Sequence, residues 1–314
     1  MQTMLYGSGK YSYELVEDWA KLSAGWSFVD IGGISIDDHD QLYILNRSPH
    51  PVIILNREGD FLGSWGEGYF NRPHGSRIVS SGNIWCADDK AHIITRFTMD
   101  GTPLQVLGTR DKPSDTGYIS KPNIMDSLAT IKTGGPPFNR PTGIACSSTG
   151  ELFATDGYGN SRVHKFTPDG KLITSWGKPG TEPYHFNLPH NIWIDKYDRL
   201  WVSDRENNRI QIFDTNGKLL QIWTDLIRPT DVFIDENDIV YVSELRPGVS
   251  IFTIDGRLLA RWYSEEKDPK TELFLAPHAI AVDSKGDIYV GEVSFTHSGY
   301  DKGPRTIQKF ALNQ

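Results

Sequence analysis

Residues 186–223 read FNLPHNIWIDKYDRLWVSDRENNRIQIFDTNGKLLQIW and contain one complete copy of an internal repeat. The copy begins with Phe-x-x-Pro-His, continues through apolar runs separated by polar turns, and ends in a fourth run that closes on tryptophan. Short apolar runs bounded by turn residues are typical of β-strands. The pair Asn216–Gly217 favours a tight hairpin, because glycine readily adopts the positive φ that such a turn needs. The copy therefore predicts a four-stranded antiparallel meander.

This unit of about 40 residues recurs six times along the 314-residue chain. Its first strands are predicted to begin at Ile31, Pro73, Pro141, Pro189, Pro229 and Pro277, and its second strands to span residues 42–46, 84–88, 152–156, 200–204, 239–244 and 288–292. Sheets of this kind bury both faces by stacking radially. The repeat therefore predicts an all-β fold, a six-bladed β-propeller that forms a single domain over residues 1–314. An insert at about residues 109–137, rich in Gly, Pro, Ser and Lys, is expected to form a loop over one face.

The sixth copy lacks a fourth strand, since the chain runs out at Leu312 without an Asp-Gly hairpin. Residues 13–19, YELVEDW, match the tryptophan-ending fourth strand of the other copies. We expect this N-terminal strand to complete the last blade, which removes an exposed sheet edge. The tryptophans at the ends of the other fourth strands are interpreted as packing residues between blades. They are Trp65, Trp176, Trp223 and Trp262.

Composition narrows the class of protein. The net charge of -8 argues against a nucleic-acid partner, because that binding draws on a basic surface. No apolar stretch approaches the length of a membrane span, and the first residues lack the pattern of a signal peptide. Cys86 and Cys146 fall inside strand patterns of different blades and are interpreted as buried free thiols. We expect a cytoplasmic protein without a membrane partner, and the oligomeric state is left open.

Histidine follows proline at the start of the first strand in alternate copies, at His74, His190 and His278. The corresponding positions in the other copies are Gly32, Thr142 and Thr230. In a propeller, the starts of the first strands face one mouth of the central channel, so three imidazoles about 120° apart would converge there. Three imidazoles leave a fourth coordination position open, which is typical of a catalytic zinc site. We predict one zinc ion per chain on these histidines. The other histidines do not share this register and are expected in surface or packing roles: His39, His50, His92, His164, His185 and His297.

The loops that leave the second strands face the same predicted mouth. They follow an acidic strand end in most copies and carry Arg47, Tyr158 and Arg205. Two cations and a phenol beside a metal suit a small anionic substrate with a hydroxyl to be deprotonated, so these three are the predicted catalytic residues. An alternative is that the arginines pair with acidic neighbours such as Glu206. The acidic strand ends are expected to cap turns. Asp89 is interpreted as part of a solvated loop, with a metal ligand or a base as the alternative.

These residues carry a specific resemblance to a known family. The stretches involved are Phe138-Asn139-Arg140-Pro141-Thr142, Asp156-Gly157-Tyr158-Gly159-Asn160-Ser161-Arg162, Phe186-Asn187-Leu188-Pro189-His190 and Asp204-Arg205-Glu206-Asn207-Asn208-Arg209. Together they resemble the NHL-repeat propeller of peptidylamidoglycolate lyase, also called peptidyl-alpha-hydroxyglycine alpha-amidating lyase. The resemblance implies zinc on the Pro-His histidines, Tyr158 as the base, and Arg47 and Arg205 lining the site. It also implies cleavage of a C–N bond in an N-substituted α-hydroxyglycine, which gives an amide and glyoxylate.

The chain departs from the family at three positions. Gly159 stands where the family has a disulfide cysteine, and Ala276 stands where it has a methionine. Ala279 replaces an acidic calcium ligand, which argues against a structural calcium ion. With no secretory pattern at the start, we expect the same metal chemistry on a different and smaller substrate.

We therefore predict a zinc-dependent lyase that cleaves a C–N, or similar C–heteroatom, bond of a small hemiaminal-type substrate and releases a carbonyl product. Cations beside the phenol would stabilise the charge that Tyr158 carries as a base. One alternative is a zinc hydrolase that adds water to an amide, ester or lactone. A second alternative is an NHL interaction scaffold without enzymatic activity, which would need no open zinc site.

Overall fold

The computed structural model describes residues 4–79, 82–264 and 268–313, and within these residues β-strands predominate. The strands are β1 (Leu5–Ser8), β2 (Tyr11–Val16), β3 (Ile31–Ile36), β4 (Leu42–Asn46), β5 (Val52–Leu55), β6 (Phe61–Trp65), β7 (Pro73–Val79), β8 (Asn83–Asp88), β9 (Ile93–Thr98), β10 (Pro103–Gly108), β11 (Pro141–Cys146), β12 (Leu152–Asp156), β13 (Arg162–Phe166), β14 (Leu172–Trp176), β15 (Pro189–Ile194), β16 (Leu200–Asp204), β17 (Arg209–Phe213), β18 (Leu219–Trp223), β19 (Pro229–Ile234), β20 (Ile239–Glu244), β21 (Gly248–Thr253), β22 (Leu258–Tyr263), β23 (Pro277–Val282), β24 (Ile288–Glu292) and β25 (Ile307–Leu312). The helices are α1 (Ile124–Leu128) and α2 (Ser294–Ser298), and 3-10 turns span Arg205–Asn207 and Gly303–Thr306.

These strands form six antiparallel sheets, and the fold is the predicted all-β, six-bladed β-propeller. Blades one to five consist of β3–β6, β7–β10, β11–β14, β15–β18 and β19–β22, and blade six has the order β1-β2-β25-β24-β23. The predicted starts of the first strands and bounds of the second strands agree with the structure, except that β8 begins one residue earlier, at Asn83. Two compact units emerge: unit 1 lies within residues 1–68 and 230–314, and unit 2 within residues 69–229. The assignment of residues 1–314 to a single domain stays a prediction.

In unit 1 the N-terminal strand completes blade six, as predicted. β2 pairs with β25 in the register Tyr13↔Leu312 and Val16↔Lys309. Tyr13 is fully buried, and its ring lies 5.7 Å from Trp262 of blade five, which is itself 5.8 Å from Phe310 of blade six. Trp262 thus packs between two blades. The sequence analysis did not predict β1, which adds a fifth strand outside β2.

In unit 2 the first strands β7, β11 and β15 are neighbours. A Cβ atom added at Gly75 would lie 2.5 Å from the carbonyl oxygen of Thr142, which is far inside van der Waals contact. Only glycine therefore allows β7 and β11 to approach this closely. Trp176 of blade three packs at 5.8 Å from Phe213 of blade four, as the interpretation of the tryptophans predicts.

The insert is more ordered than the predicted loop. It contains α1, and the side chain of Asn123 caps this helix by accepting a hydrogen bond from the backbone N–H of Met125. Leu128 and Ile131 are buried in a small apolar cluster with Tyr158. The insert therefore contributes to the surroundings of a predicted catalytic residue.

Two further expectations concern cysteine and membranes. Cys86 and Cys146 are both free thiols, and Cys86 is buried, but Cys146 is only half-buried because it lies at the end of β11. The expectation of two buried thiols was therefore wrong for Cys146. No helix in the described part of the chain is long and apolar enough to cross a membrane.

Truncation tests the closure of blade six. Deleting residues 1–19 removes β1 and β2, exposes β25 as an open edge, and empties the buried position of Tyr13. The truncated protein should aggregate or melt about 10 °C lower, as measured by thermal unfolding. A control that deletes only residues 1–8 removes β1 and should melt within about 3 °C of the full chain. Equal melting temperatures for the full chain and the longer deletion would contradict this assignment.

Candidate functional site

In both units, a β-bulge lies at the start of the first strand in the blades that carry the predicted zinc ligands. In blade four, Pro189 pairs with Asp204 and Asn191 pairs with Ser203, so His190 is an extra residue on its strand. The same register shift occurs around His74 in blade two and around His278 in blade six. A bulge re-aims the side chain of the extra residue, and bulges are common beside active sites. The three predicted zinc ligands thus share one local backbone geometry.

Within unit 2 the structure brings His74, His190 and Tyr158 together. All three side chains are buried. The hydroxyl of Tyr158 lies 3.2 Å from Nε2 of His74 and 3.2 Å from Nε2 of His190. The two imidazole rings are 4.8 Å apart between centroids. The prediction that Tyr158 lies beside these two histidines agrees with this geometry.

The proton on His74 is fixed by its neighbour. Nδ1 of His74 lies 2.6 Å from the carbonyl oxygen of Thr142, which can only accept a hydrogen bond, so Nδ1 carries the proton. Nε2 therefore presents a lone pair, which is the form of histidine that binds a metal. This contact depends on the close approach at Gly75.

Tyr158 reaches this position because its loop folds tightly over β15. A Cβ atom on Gly157 would lie 2.3 Å from the carbonyl oxygen of Pro189, so only glycine fits there. The apolar cluster of Leu128, Ile131 and Leu188 then supports the ring. Both the Gly-Tyr pair and the insert are needed to position the phenol.

His278 and Arg47 belong to unit 1. His278 is buried on β23 at the bulge. Arg47 is mostly buried, and its Nη1 lies 3.3 Å from Oδ2 of Asp30 and 3.4 Å from the hydroxyl of Thr296. The alternative that Arg47 pairs with an acidic residue is therefore realised, through Asp30.

Arg205 also has an acidic partner. Its Nε donates to Oε1 of Glu206 at 2.8 Å, and the same carboxylate accepts from Arg228. Burial raises the pKa of Glu206, but Arg205 and Arg228 outweigh it and hold this pKa below its ordinary value. The guanidinium of Arg205 nevertheless lies over the ring of Tyr158, with its carbon 5.8 Å from the ring centroid. Pairing with Glu206 and a place beside Tyr158 are thus compatible.

Two further arginines beside Tyr158 were missed by the sequence analysis. The guanidinium carbons of Arg72 and Arg140 lie 5.4 Å and 5.0 Å from the centroid of the Tyr158 ring. Each precedes the proline that begins a first strand, and Arg228 occupies the same place in blade five. This recurrent Arg-Pro pair is the sequence signal that could have identified them.

Asp89 is a buried ion-pair partner and not part of a solvated loop. Its side chain is fully buried, Oδ2 lies 3.0 Å from Arg72 and Oδ1 lies 3.2 Å from Arg140. The earlier interpretation was wrong, because the two cations compensate the cost of removing this carboxylate from water. Burial lowers the pKa of Arg140, but Asp89 and Tyr118 outweigh it and raise this pKa above its ordinary value.

The acidic strand ends hold the loop before the first strand. Asp88 accepts hydrogen bonds from the backbone N–H groups of Asn71 and Arg72 at 2.7 Å and 2.9 Å. Asp156, Asp204 and Glu292 accept equivalent bonds from residues 139, 187 and 275. Their role is structural, as expected: they cap the facing loop, and Asp88 also caps its own turn by accepting a hydrogen bond from the backbone N–H of Ala91 at 3.2 Å.

Comparisons with known proteins identify the repeat and the relatives of the chain. The family model described as NHL repeat matches residues 138–166 and 186–213, in blades three and four. The chain contains NHL repeats. It is 26% identical over 364 residues to the mouse peptidyl-glycine alpha-amidating monooxygenase, and the match covers 98% of this chain and 33% of that protein. The chain therefore spans about a third of the length of that relative.

A shorter relative carries a lyase name. The chain is 30% identical over 279 residues to peptidyl-alpha-hydroxyglycine alpha-amidating lyase 2 of Drosophila melanogaster, a match that covers 81% of this chain and 61% of that protein. These relatives confirm the resemblance found in the sequence. Among solved structures, a gluconolactonase from Xanthomonas campestris superposes with a TM-score of 0.65 at 13% identity, over 98% of this chain and 95% of that one. At that identity the likeness shows the fold alone.

Replacing Asp89 tests the buried ion-pair cluster. Asp89→Asn leaves Arg72 and Arg140 without their carboxylate in a buried site, which should lower the free energy of unfolding by about 3 kcal/mol. Denaturant unfolding measures the loss. The exposed Asp126 of α1 provides a matched control, and Asp126→Asn should change stability by no more than about 0.5 kcal/mol. Equal stabilities of the two variants would refute the structural role of Asp89.

Proposed function

We propose that this protein is a zinc-dependent lyase that cleaves the C–N, or a similar C–heteroatom, bond of a small hydroxylated hemiaminal-type substrate and releases a carbonyl product. The observation that carries the proposal is the hydroxyl of Tyr158, placed 3.2 Å from Nε2 of both His74 and His190. The similarity to lyase-named relatives supports the same class of reaction. A hemiaminal needs only a proton removed from oxygen and a proton delivered to nitrogen, so one well-placed acid–base group is sufficient.

The residues fit a zinc ion. His74 keeps its proton on Nδ1 and offers the lone pair of Nε2, and the single proton of Tyr158 can serve only one of the two facing nitrogens. Neutral imidazole is the usual nitrogen ligand of zinc. We propose that His74, His190 and His278 hold the ion, since they share the bulge position of their first strands. Bound zinc supplies Lewis-acid chemistry that makes a hydroxyl group more acidic.

Tyr158 is the proposed base. As the phenolate it removes the proton from the substrate hydroxyl, the electron pair of that O–H bond forms the carbonyl, and the C–N bond breaks. The nitrogen leaves with the bonding pair and takes the proton back from Tyr158, so no water is consumed. The guanidinium groups of Arg72, Arg140 and Arg205 lie beside the ring, where their positive charge attracts an anionic ligand.

Arg205 is the proposed anion-binding residue of the site. Among the described residues its side chain donates a hydrogen bond only through Nε, to Glu206, and its two terminal nitrogens make none. A planar guanidinium with two terminal N–H groups matches a carboxylate in bidentate geometry. We propose Arg47 as a further contributor of positive charge.

Product analysis tests the reaction class. The purified protein should release glyoxylate from an N-acyl-α-hydroxyglycine, and reaction in ¹⁸O-labelled water should leave the amide product unlabelled. Release of the acyl group as a carboxylic acid that carries solvent oxygen would instead identify a hydrolase. Turnover that is unaffected when the metal is removed by chelation would overturn the zinc dependence.

The metal itself gives a second prediction. His190→Ala removes one of the proposed ligands, so elemental analysis should find about one zinc per chain in the wild type and close to none in the variant. Activity should fall with the metal. His39 is exposed and out of register, and His39→Ala should keep both zinc and activity. A wild type free of transition metals but fully active would rule out this assignment.

Tyr158 gives the most direct prediction. Tyr158→Phe removes one oxygen, preserves the ring and its apolar contacts, and should lower the turnover number about 10²-fold or more, the usual scale for a general acid–base group. Zinc content should not change. Tyr197 is more than half exposed, so Tyr197→Phe is the matched control and should turn over normally. Wild-type turnover in the Tyr158 variant would exclude the tyrosine-base mechanism.

A further inference from the structure

Arg72, Arg140 and Arg205 form what is here called the arginine cluster around Tyr158. Their guanidinium carbons lie 5.4 Å, 5.0 Å and 5.8 Å from the centroid of the tyrosine ring. Their side chains are 16%, 12% and 5% exposed, so the charges are largely shielded from water. Electrostatic interactions are strong in such surroundings.

The arginines of the cluster outnumber the carboxylates that pair with them. Asp89 pairs with both Arg72 and Arg140, and Glu206 pairs with both Arg205 and Arg228. With Arg228 included, four guanidinium groups share two carboxylates in these ion pairs, so two guanidinium groups share one carboxylate on each side.

The cations are held in two separate groups. Asp89 fixes Arg72 and Arg140 on blade two and at the start of blade three, whereas Glu206 fixes Arg205 on blade four. Among the described residues, the side chain of Arg72 donates hydrogen bonds only through Nη1. Nε of Arg140 is buried and donates to no acceptor in the described part of the chain. Each group thus retains donors for a ligand beyond those used by its carboxylate.

The insert limits the size of that ligand. The hydroxyl of Tyr118 accepts a hydrogen bond from Nη1 of Arg140 at 2.7 Å. Leu128 and Ile131 of the insert are buried in one cluster with Tyr158, so the insert packs beside this residue. A compact ligand fits this arrangement better than a peptide.

We propose that the substrate is a small dicarboxylate, in which one carboxylate binds Arg205 and the second binds Arg72 and Arg140. This inference rests on the proposed function for the reaction and adds the substrate class. Guanidinium groups bind carboxylates through short charge-assisted hydrogen bonds. Asp89 acts as a positioning residue, because it orients both arginines without contacting the reacting atoms.

The experiment is a binding measurement that needs no turnover. Isothermal titration calorimetry on the zinc-loaded wild type compares succinate with butyrate, two four-carbon acids that differ by one carboxylate. The wild type should bind succinate at least about 10-fold more tightly. Arg72→Gln should weaken the binding of succinate by about 10-fold and change the affinity for butyrate by less than about 2-fold, because only the second carboxylate loses its partner.

Arg228→Gln is the matched control. It removes an equal charge from the other ion-pair group, in which Arg228 pairs with Glu206 and is about a third exposed. This variant should change the affinity for succinate and the affinity for butyrate by the same small factor. If Arg72→Gln fails to fold by thermal unfolding, Arg72→Lys replaces it and should lower the preference for succinate while keeping the charge.

Three results would overturn the proposal: no succinate binding at about 10 mM, equal affinity of the wild type for the two acids, or an equal loss for both acids in the Arg72 variant. These outcomes are distinct from failure of the proposed reaction. Normal turnover in Tyr158→Phe would remove the lyase mechanism and leave the succinate preference intact. If the wild type shows no preference for succinate while Tyr158→Phe is impaired in turnover, the lyase mechanism stands and only the dicarboxylate substrate is excluded.

Discussion

A buried carboxylate at the end of the second strand holds the facing loop in at least four blades. Asp88, Asp156 and Asp204 in unit 2, and Glu292 in unit 1, accept hydrogen bonds from the backbone N–H groups just before the first strand. Burial raises the pKa of Asp204 to about 6, because the loss of water outweighs its pairing with Arg209. Burying such a charged group costs free energy. The group contributes by fixing the position of the backbone that donates to it. The bulge that aims each histidine begins immediately after this fixed loop.

The repeat provides a uniform frame, and the chemistry comes from its departures. At one bulge position the chain alternates histidine with threonine or glycine. Thr142 occupies such an alternate position, yet its carbonyl oxygen fixes the proton of His74. A position without a predicted ligand can therefore still orient a histidine of the neighbouring blade. Close packing of the first strands puts the backbone of one strand beside the side chain of the next.

The two units carry different residues immediately before the first strand and immediately after the second strand of their blades. In unit 2 the residues before the first strand and after the second include Arg72, Asp89 and Arg205, which form buried ion pairs. In unit 1 the corresponding residues of blades five and six, Leu245, Ala276 and Val293, form a small apolar cluster. One backbone geometry thus supports charged and apolar surroundings, and the choice between them is a matter of side chains alone.

The sequence by itself determined the blade boundaries, the closure of blade six by β2 and the register of the three histidines, because each follows from a periodic local pattern of apolar runs, turns and proline. It also predicted catalytic roles for Tyr158 and Arg205, which lie beside each other in the fold. Only the tertiary structure decided the partners of these residues. The burial of Asp89 and the packing of the insert depend on contacts between segments that are distant in the sequence. The recurrent Arg-Pro pair marks Arg72 and Arg140 in the sequence, but only the fold places them over the tyrosine ring. A charged residue in a loop looks solvated in the sequence, whereas Asp89 is buried because Arg72 of its own blade and Arg140 of the next blade supply the opposite charge.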